Sequence, residues 1–255
     1  MQPAIHTASS AIRYASIGLI LAFGLDSAPT DTEPPPDLAR KVAGIESDNS
    51  AARMNYTYRQ KVLIEELDNN GRRVGHYEEV RDITFSPETG RQEQFSGKPT
   101  LRLQRLRMTD EDFRDIREVQ PFLFTSDVLW SYQTRYRGEE PVDGSPCYVL
   151  EVRPRQTFEG QRLFEGTMWV DKKDLAVVRA EGKAVPAIFS KGSENLFPRF
   201  TTVRTRVDEK HWFPVATLAD DVLPFKTGPL RIRMRIEYSN YKRFAVDSTI
   251  QFKTP

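Results

Sequence analysis

The chain has one cysteine, Cys147, and three histidines, His6, His76 and His211, in 255 residues. A lone cysteine excludes an intramolecular disulfide, and with no second thiol or closely spaced histidine beside it there is no zinc-type ligand set. Cys147 therefore reads as a small, half-buried hydrophobe in a strand. His76 and His211 fall in different segments, with neither a His-x-His nor a His-Glu-x-x-His spacing, so no metal centre and no nucleophilic triad is legible. A basic excess is also missing: 37 Lys and Arg face 36 Asp and Glu, for a net charge of +1. A dedicated nucleic-acid binder carries a clear positive surplus, which argues against nucleic acid as a partner. There is no phosphate-cradling glycine loop and no Gly-x-Ser-x-Gly elbow. Adjacent carboxylates do occur, at Glu65/Glu66, Glu78/Glu79 and Asp220/Asp221. They fall in alternating segments, where neighbours point to opposite faces, so they cannot pair as acid and base and read as solvated strand ends. The expectation is a protein that is not an enzyme and uses no cofactor or metal.

Long apolar runs are scarce as well. The run 17-IGLILAFGL-25 is too short to span a bilayer. Arg13 precedes it and Ser27-Ala28 follow, the arrangement of a secretory signal. We expect residues 1–28 to be a signal peptide, 29–36 a Pro-rich linker and 37–255 a single domain. The protein freed of the signal would be soluble and outside the cytoplasm.

What the sequence has in quantity is alternation. After a short helix expected from Leu38, Val42 and Ile45, capped by Asp37, the segment 55-NYTYRQKVLIEEL-67 places Tyr56, Tyr58, Val62 and Ile64 on one side. An Asn-Gly turn leads to 74-VGHYEEVRDITF-85, and 91-RQEQFS-96 reads as a third strand. A helix is expected over 108–119, with Thr109 as its N-cap and acidic residues in its first turn, and a second over 121–130. Strands return at 131–142, 147–155, 162–171 and 175–182. Residues 183–198 look irregular, and 199–210, 211–222, 230–238 and 245–252 read as strands.

The clearest alternation is 230-LRIRMRIEY-238. Leu230, Ile232, Met234, Ile236 and Tyr238 face one way, and Arg231, Arg233, Arg235 and Glu237 the other. With so little net charge, the arginines read as the wet face of a sheet rather than an anion-binding stripe. The apolar side fills a core or lines a cavity, since a large curved sheet with few helices must close or be covered.

The strand 55–67, the hairpin 163-LFEGTMWVDKKDLAVVRAEG-182 with its Trp-Val-Asp turn, the run 195–221 and the strand 230–244 together resemble the periplasmic outer-membrane lipoprotein carriers and lipoprotein-sorting proteins (LolA/LolB-like fold). The resemblance covers residues 36–252. It implies a mainly β fold with a few helices, in which a strongly curved antiparallel sheet, an incomplete barrel of about ten or eleven strands, is covered on its concave face by helices. It further implies a periplasmic carrier of lipid-modified proteins or other amphiphiles, whose acyl chains occupy an apolar cavity. Envelope protein partners and transient membrane contact go with such a role. The cavity candidates are Tyr56, Tyr58, Val62, Ile64, Phe85, Tyr148, Leu150, Val152, Phe164, Met168, Ile232, Met234, Ile236 and Tyr238. The alternatives are an envelope sensor or interaction module of the same fold, and a hydrolase of envelope lipids or glycans, which would need a polar cluster such as His76 beside a carboxylate. The segment 183–198 is either a flap at the cavity edge or packing for an open sheet edge.

Overall fold

The computed structural model describes residues 33–86, 90–118, 123–157, 162–190 and 193–244. The chain divides after Thr30, and the fold below is that of the unit Asp31–Pro255. It is mainly β. Helix α1 (Leu38–Arg53) is followed by strands β1 (Tyr56–Leu67), β2 (Arg73–Ser86), β3 (Gly90–Phe95) and β4 (Thr100–Leu101). Helix α2 (Asp110–Glu118) and a single 3-10 turn (Leu129–Ser131) then lead to β5 (Tyr132–Val142), β6 (Ser145–Pro154), β7 (Leu163–Asp171) and β8 (Val177–Val185). A small hairpin, β9 (Ile188–Ser190) and β10 (Ser193–Asn195), precedes β11 (Phe200–Arg206), β12 (Trp212–Phe225) and β13 (Gly228–Arg243).

Eleven strands form one antiparallel sheet in the order β3-β2-β1-β13-β12-β11-β8-β7-β6-β5, with β4 also on β2. Neighbours are mostly successive hairpins, so local turn chemistry dictates the order. Asp143 and Gly144, both at positive φ, turn β5 into β6, as a two-residue hairpin requires. Asp171 accepts backbone N–H bonds from Lys173 and Asp174 to turn β7 into β8. The long-range closure is β1 against β13, where Val62 faces Ile236 and Ile64 faces Met234. The end strands β3 and β5 do not pair with each other, so the sheet is not closed into a barrel.

Four expectations change. Asp37 adopts φ 58 and makes no side-chain cap bond, while α1 runs on through residues 46–53. Its buried face is Leu38, Val42, Ala43, Glu46 and Asn49, with Ile45 only half-buried. Residues 123–128 form no helix, and Phe124 is buried there in irregular chain. The segment 183–198 is not irregular throughout: β8 extends to Val185 and the β9–β10 hairpin follows. Thr109 does cap α2, in reciprocal hydrogen bonds with Asp112. The strand expected over 245–252 lies outside the described residues. Among the described residues, no helix is long and apolar enough to cross a membrane.

Candidate functional site

The alternation of the sequence becomes two faces of unlike chemistry. On one, Tyr58, Val62, Ile64, Leu150, Val152, Phe164, Met168, Met234, Ile236 and Tyr238 join a single buried apolar cluster with Leu38, Val42 and Ala43 of α1. Phe85 and Tyr148 are half-buried against it. Ile232 is separated from that group and packs with Leu223 and Leu230 in a second cluster. Tyr56 also stands apart: it stacks edge-on against Phe213 at 5.0 Å, and its hydroxyl donates to Asp208. On β7, β8, β11 and β12 this face includes small residues. Gly166 pairs with Gly182 and Met168 with Ala180 across β7 and β8, and Thr202 reaches Thr217 at 2.8 Å across β11 and β12. A Cβ on Gly166 would lie 2.1 Å from the carbonyl oxygen of Glu181 and 2.7 Å from Cζ of Phe164, so the ring of Phe164 depends on both glycines.

Buried carboxylates fasten α1, α2 and the connection before α2, which pack on this face. Glu46 of α1, fully buried, meets Arg204 of β11 at 2.5 Å and accepts from the backbone N–H of Val177 at 3.3 Å. One turn on, Asn49 accepts from the backbone N–H of Trp212. Glu66 of β1 is also fully buried and accepts the backbone N–H groups of Gln104, Arg105 and Leu106, fastening the strand-to-helix connection before α2. Asp115 of α2 pairs with Arg162, whose guanidinium also donates to the carbonyl and side chain of Asn195. Burial pushes the Asp115 carboxyl up to about 7, outweighing the pull of Arg162. Glu79, buried on β2, accepts from Arg81 at 2.7 Å and from the Tyr77 hydroxyl.

Two sequence expectations are thereby corrected. Glu66 and Glu79 are not solvated strand ends, because their period-two position turns them inward, and backbone N–H groups or an arginine satisfy them there. Glu65 and Glu78, their neighbours, point outward and pair with Arg73 and Lys61. Hydrophobic patterning could not find the buried carboxylates: the partners of Glu66 lie about forty residues away, and those of Glu79, Tyr77 and Arg81 on its own strand, become partners only once burial removes water.

The opposite face is a lattice of ion pairs. Arg231 and Arg233 share Asp220, Arg235 takes Glu237, and Arg59 forks onto Asp82. The arginines that dominate the sequence of β13 are the wet face of the sheet. Near one end, His211 Nδ1 meets Asp208 at 2.8 Å. Against the desolvation that would raise it, hydrogen bonds from His211, Tyr56 and the backbone N–H groups of His211 and Lys210 hold Asp208 well below the usual carboxylate range. These bonds close the turn between β11 and β12. Cys147 is buried, and burial pushes its thiol up, the reverse of a reactive cysteine. Among the described residues, no group of three or more His, Cys, Asp or Glu side chains could hold a metal ion.

The apolar face opens at the β5 end of the sheet. A cleft of about 490 Å³ lies between the N-terminal side of α1 and the edge strands, lined by Pro34, Pro35, Leu38, Leu129, Tyr136 and Leu150 and also by the polar Glu33, Asp37, Arg40 and Thr134. That volume falls in the range of small-molecule sites. Leu38 and Leu150 belong to the main cluster, so the cleft touches that cluster at its edge, and Leu150 is the cavity candidate that lines it. Tyr136 and Tyr148 stand with ring centroids 6.4 Å apart beside it.

No protein-family model matches the chain, and no curated protein matches it in sequence. Among solved structures, it is similar to a DUF1329 family protein from Desulfovibrio piger at 16% identity and TM-score 0.43, covering 83% of this chain and 92% of that one. It is also similar to a domain assigned to outer membrane lipoprotein sorting from Vibrio parahaemolyticus (13% identity, TM-score 0.35, 80% and 92% covered). A LolA superfamily protein from Nitrosomonas europaea gives 16% identity and TM-score 0.32, with 80% and 94% covered. Superpositions this loose assign no role to any residue.

Proposed function

We propose that the protein binds an amphiphile, with its apolar chain in the cleft beside β5 and against the apolar face beneath α1, and that it serves as a non-enzymatic carrier in the cell envelope. The acyl chain of a lipid-modified protein is the ligand class that fits the resemblance in the sequence. One observation carries the reading: the cleft is open to solvent at Thr134 and Pro34 and reaches inward to Leu38 and Leu150 of the apolar cluster. The cover over that cluster is held by a few discrete carboxylate contacts, at Glu46, Glu66 and Asp115. Parting that cover from the sheet also uncovers Leu38, Val42 and Ala43 of α1, and a bound apolar chain compensates by taking their place against the cluster. Met168 and Met234 on the apolar face are flexible side chains that repack around ligands of varied shape.

Saturable uptake of a fluorescent fatty acid by the purified protein, displaced by a diacylated lipopeptide, is the expected result. Lack of saturable uptake by folded protein overturns the reading. A second reading, an interaction module for another envelope protein, is favoured by the open β5 edge with Trp130 beside it, 69% exposed. A stable protein partner captured without any ligand uptake would select it.

A further inference from the structure

The edge strand β5 has different chemistry on its two sides at one level. Thr134 lines the cleft beside α1 together with Tyr136 and Leu150, and it also lines a second hollow of about 390 Å³ formed by Gln133, Arg135, Arg137, Glu151 and Arg153. The register explains the split. Tyr136 pairs with Leu150 and both turn to the cluster, while Arg135 pairs with Glu151 and both turn outward. Glu151 is bracketed by Arg137 and Arg153, and their hydrogen bonds and charge hold its carboxyl below the usual range. Arg135 makes no ion pair among the described residues, so the hollow holds three guanidinium groups against one carboxylate. β5 ends the sheet, and among the described residues nothing pairs with its outer edge. A strand is only about 5 Å across in the direction of pairing. A molecule lying in the cleft can therefore fold its end over β5 and reach the arginines.

We infer that the ligand carries an anionic head, held by Arg135, Arg137 and Arg153 on the outer side of β5, while its chain occupies the cleft on the inner side. This deepens the carrier reading and rests on it. A carboxylate and a phosphate share the relevant chemistry, since each accepts two N–H bonds from the planar guanidinium fork.

The test compares cis-parinaric acid with its methyl ester, which share one fluorescent chain and differ in head charge. At low salt and pH 8, the intact protein should prefer the acid by about five- to tenfold, the sum of two or three exposed charge contacts. The preference should shrink as salt rises. In R135Q/R153Q, which leaves Arg137 on Glu151, it should vanish while ester binding stays unchanged. Displacement of the probe by oleate or by oleoyl lysophosphatidate at the lower concentration identifies the head as carboxylate or phosphate. Equal binding of acid and ester by the intact protein, or a preference that survives in R135Q/R153Q, overturns the head-group assignment and leaves the carrier reading standing. Binding of neither probe removes both.

Discussion

Removing Glu46 tests what holds the helix over the apolar face. The Glu46 carboxylate is fully buried, and the side chain of Arg204 is 1% exposed. Glu46→Ala takes the carboxylate from Arg204 and the acceptor from the Val177 N–H together. Breaking a buried pair from one side costs about 3–5 kcal/mol, because the remaining charge stays desolvated. In a unit of this size each kcal/mol lowers Tm by about 2–4 °C, so a fall on the order of 10 °C is expected. Arg204→Met should cost a similar amount for the mirror-image reason. The double variant E46L/R204M replaces both charges with apolar groups and should recover most of the loss, since the pair and a packed apolar substitute are nearly equal in free energy. Urea denaturation of the four proteins gives the coupling directly. Hydrogen exchange on E46A should place the amides of α1 among the first to open. Single variants that each cost less than about 1 kcal/mol, or losses that simply add in the double variant, would refute the view that this pair fastens α1.

Further outcomes follow from other parts of the sheet. Gly166→Ala places a methyl group 2.1 Å from the Glu181 carbonyl and should cost about 2 kcal/mol or more by overpacking, read as a shift in denaturation midpoint; a midpoint like that of the parent protein would contradict the close approach of β7 and β8. Burial holds the Asp115 carboxyl at about 7 in the folded protein, above its ordinary 3.8, so the fold favours the protonated form. Its contribution is then fully present below about pH 4 and is lost as pH rises through 7. Asp112, also raised by burial, acts in the same direction, with Arg162, Arg114 and Asn195 as the groups facing the site. Relative to Asp115→Asn, the intact protein should lose stability between pH 5 and 8; a parallel pair of curves would refute this. Arg233→Gln leaves Arg231 on Asp220 and should move stability by no more than about 0.5 kcal/mol, and a larger change in melting temperature would mean that the outer lattice is cooperative.

The sequence made the strands legible wherever period two was strong. The inward set of β13 is the one that alternation picks out, Leu230 to Tyr238, and the Asn-Gly and Asp-Gly turns mark their hairpins. The carboxylate fastenings were not legible. Glu46, Glu66, Glu79 and Asp115 occupy inward positions that an apolar pattern treats as interruptions, and the partners of Glu46, Glu66 and Asp115 lie on distant strands or connections. The apolar segment 121–130 suggested a helix, whereas Phe124 is fully buried there in irregular chain: local hydrophobicity does not distinguish a helix from a plug held by tertiary contacts. Of the cavity candidates, the ten in the main cluster share one face, whereas Tyr56 and Ile232 belong to its margins: alternation gives the face of a strand but not the position along it at which one cluster ends and another begins.

The central claim is that an amphiphile's chain reaches the apolar face. Met168 and Met234 are buried on that face, at 0% and 2% exposure, whereas Met54 is 52% exposed at the end of α1. Methyl-labelled methionine NMR during titration with a fatty acid reads all three positions in one spectrum. The carrier account predicts that the Met168 and Met234 methyl signals shift saturably with a common dissociation constant while Met54 stays in place. Binding that leaves Met168 and Met234 unmoved, or shifts only Met54, would contradict it.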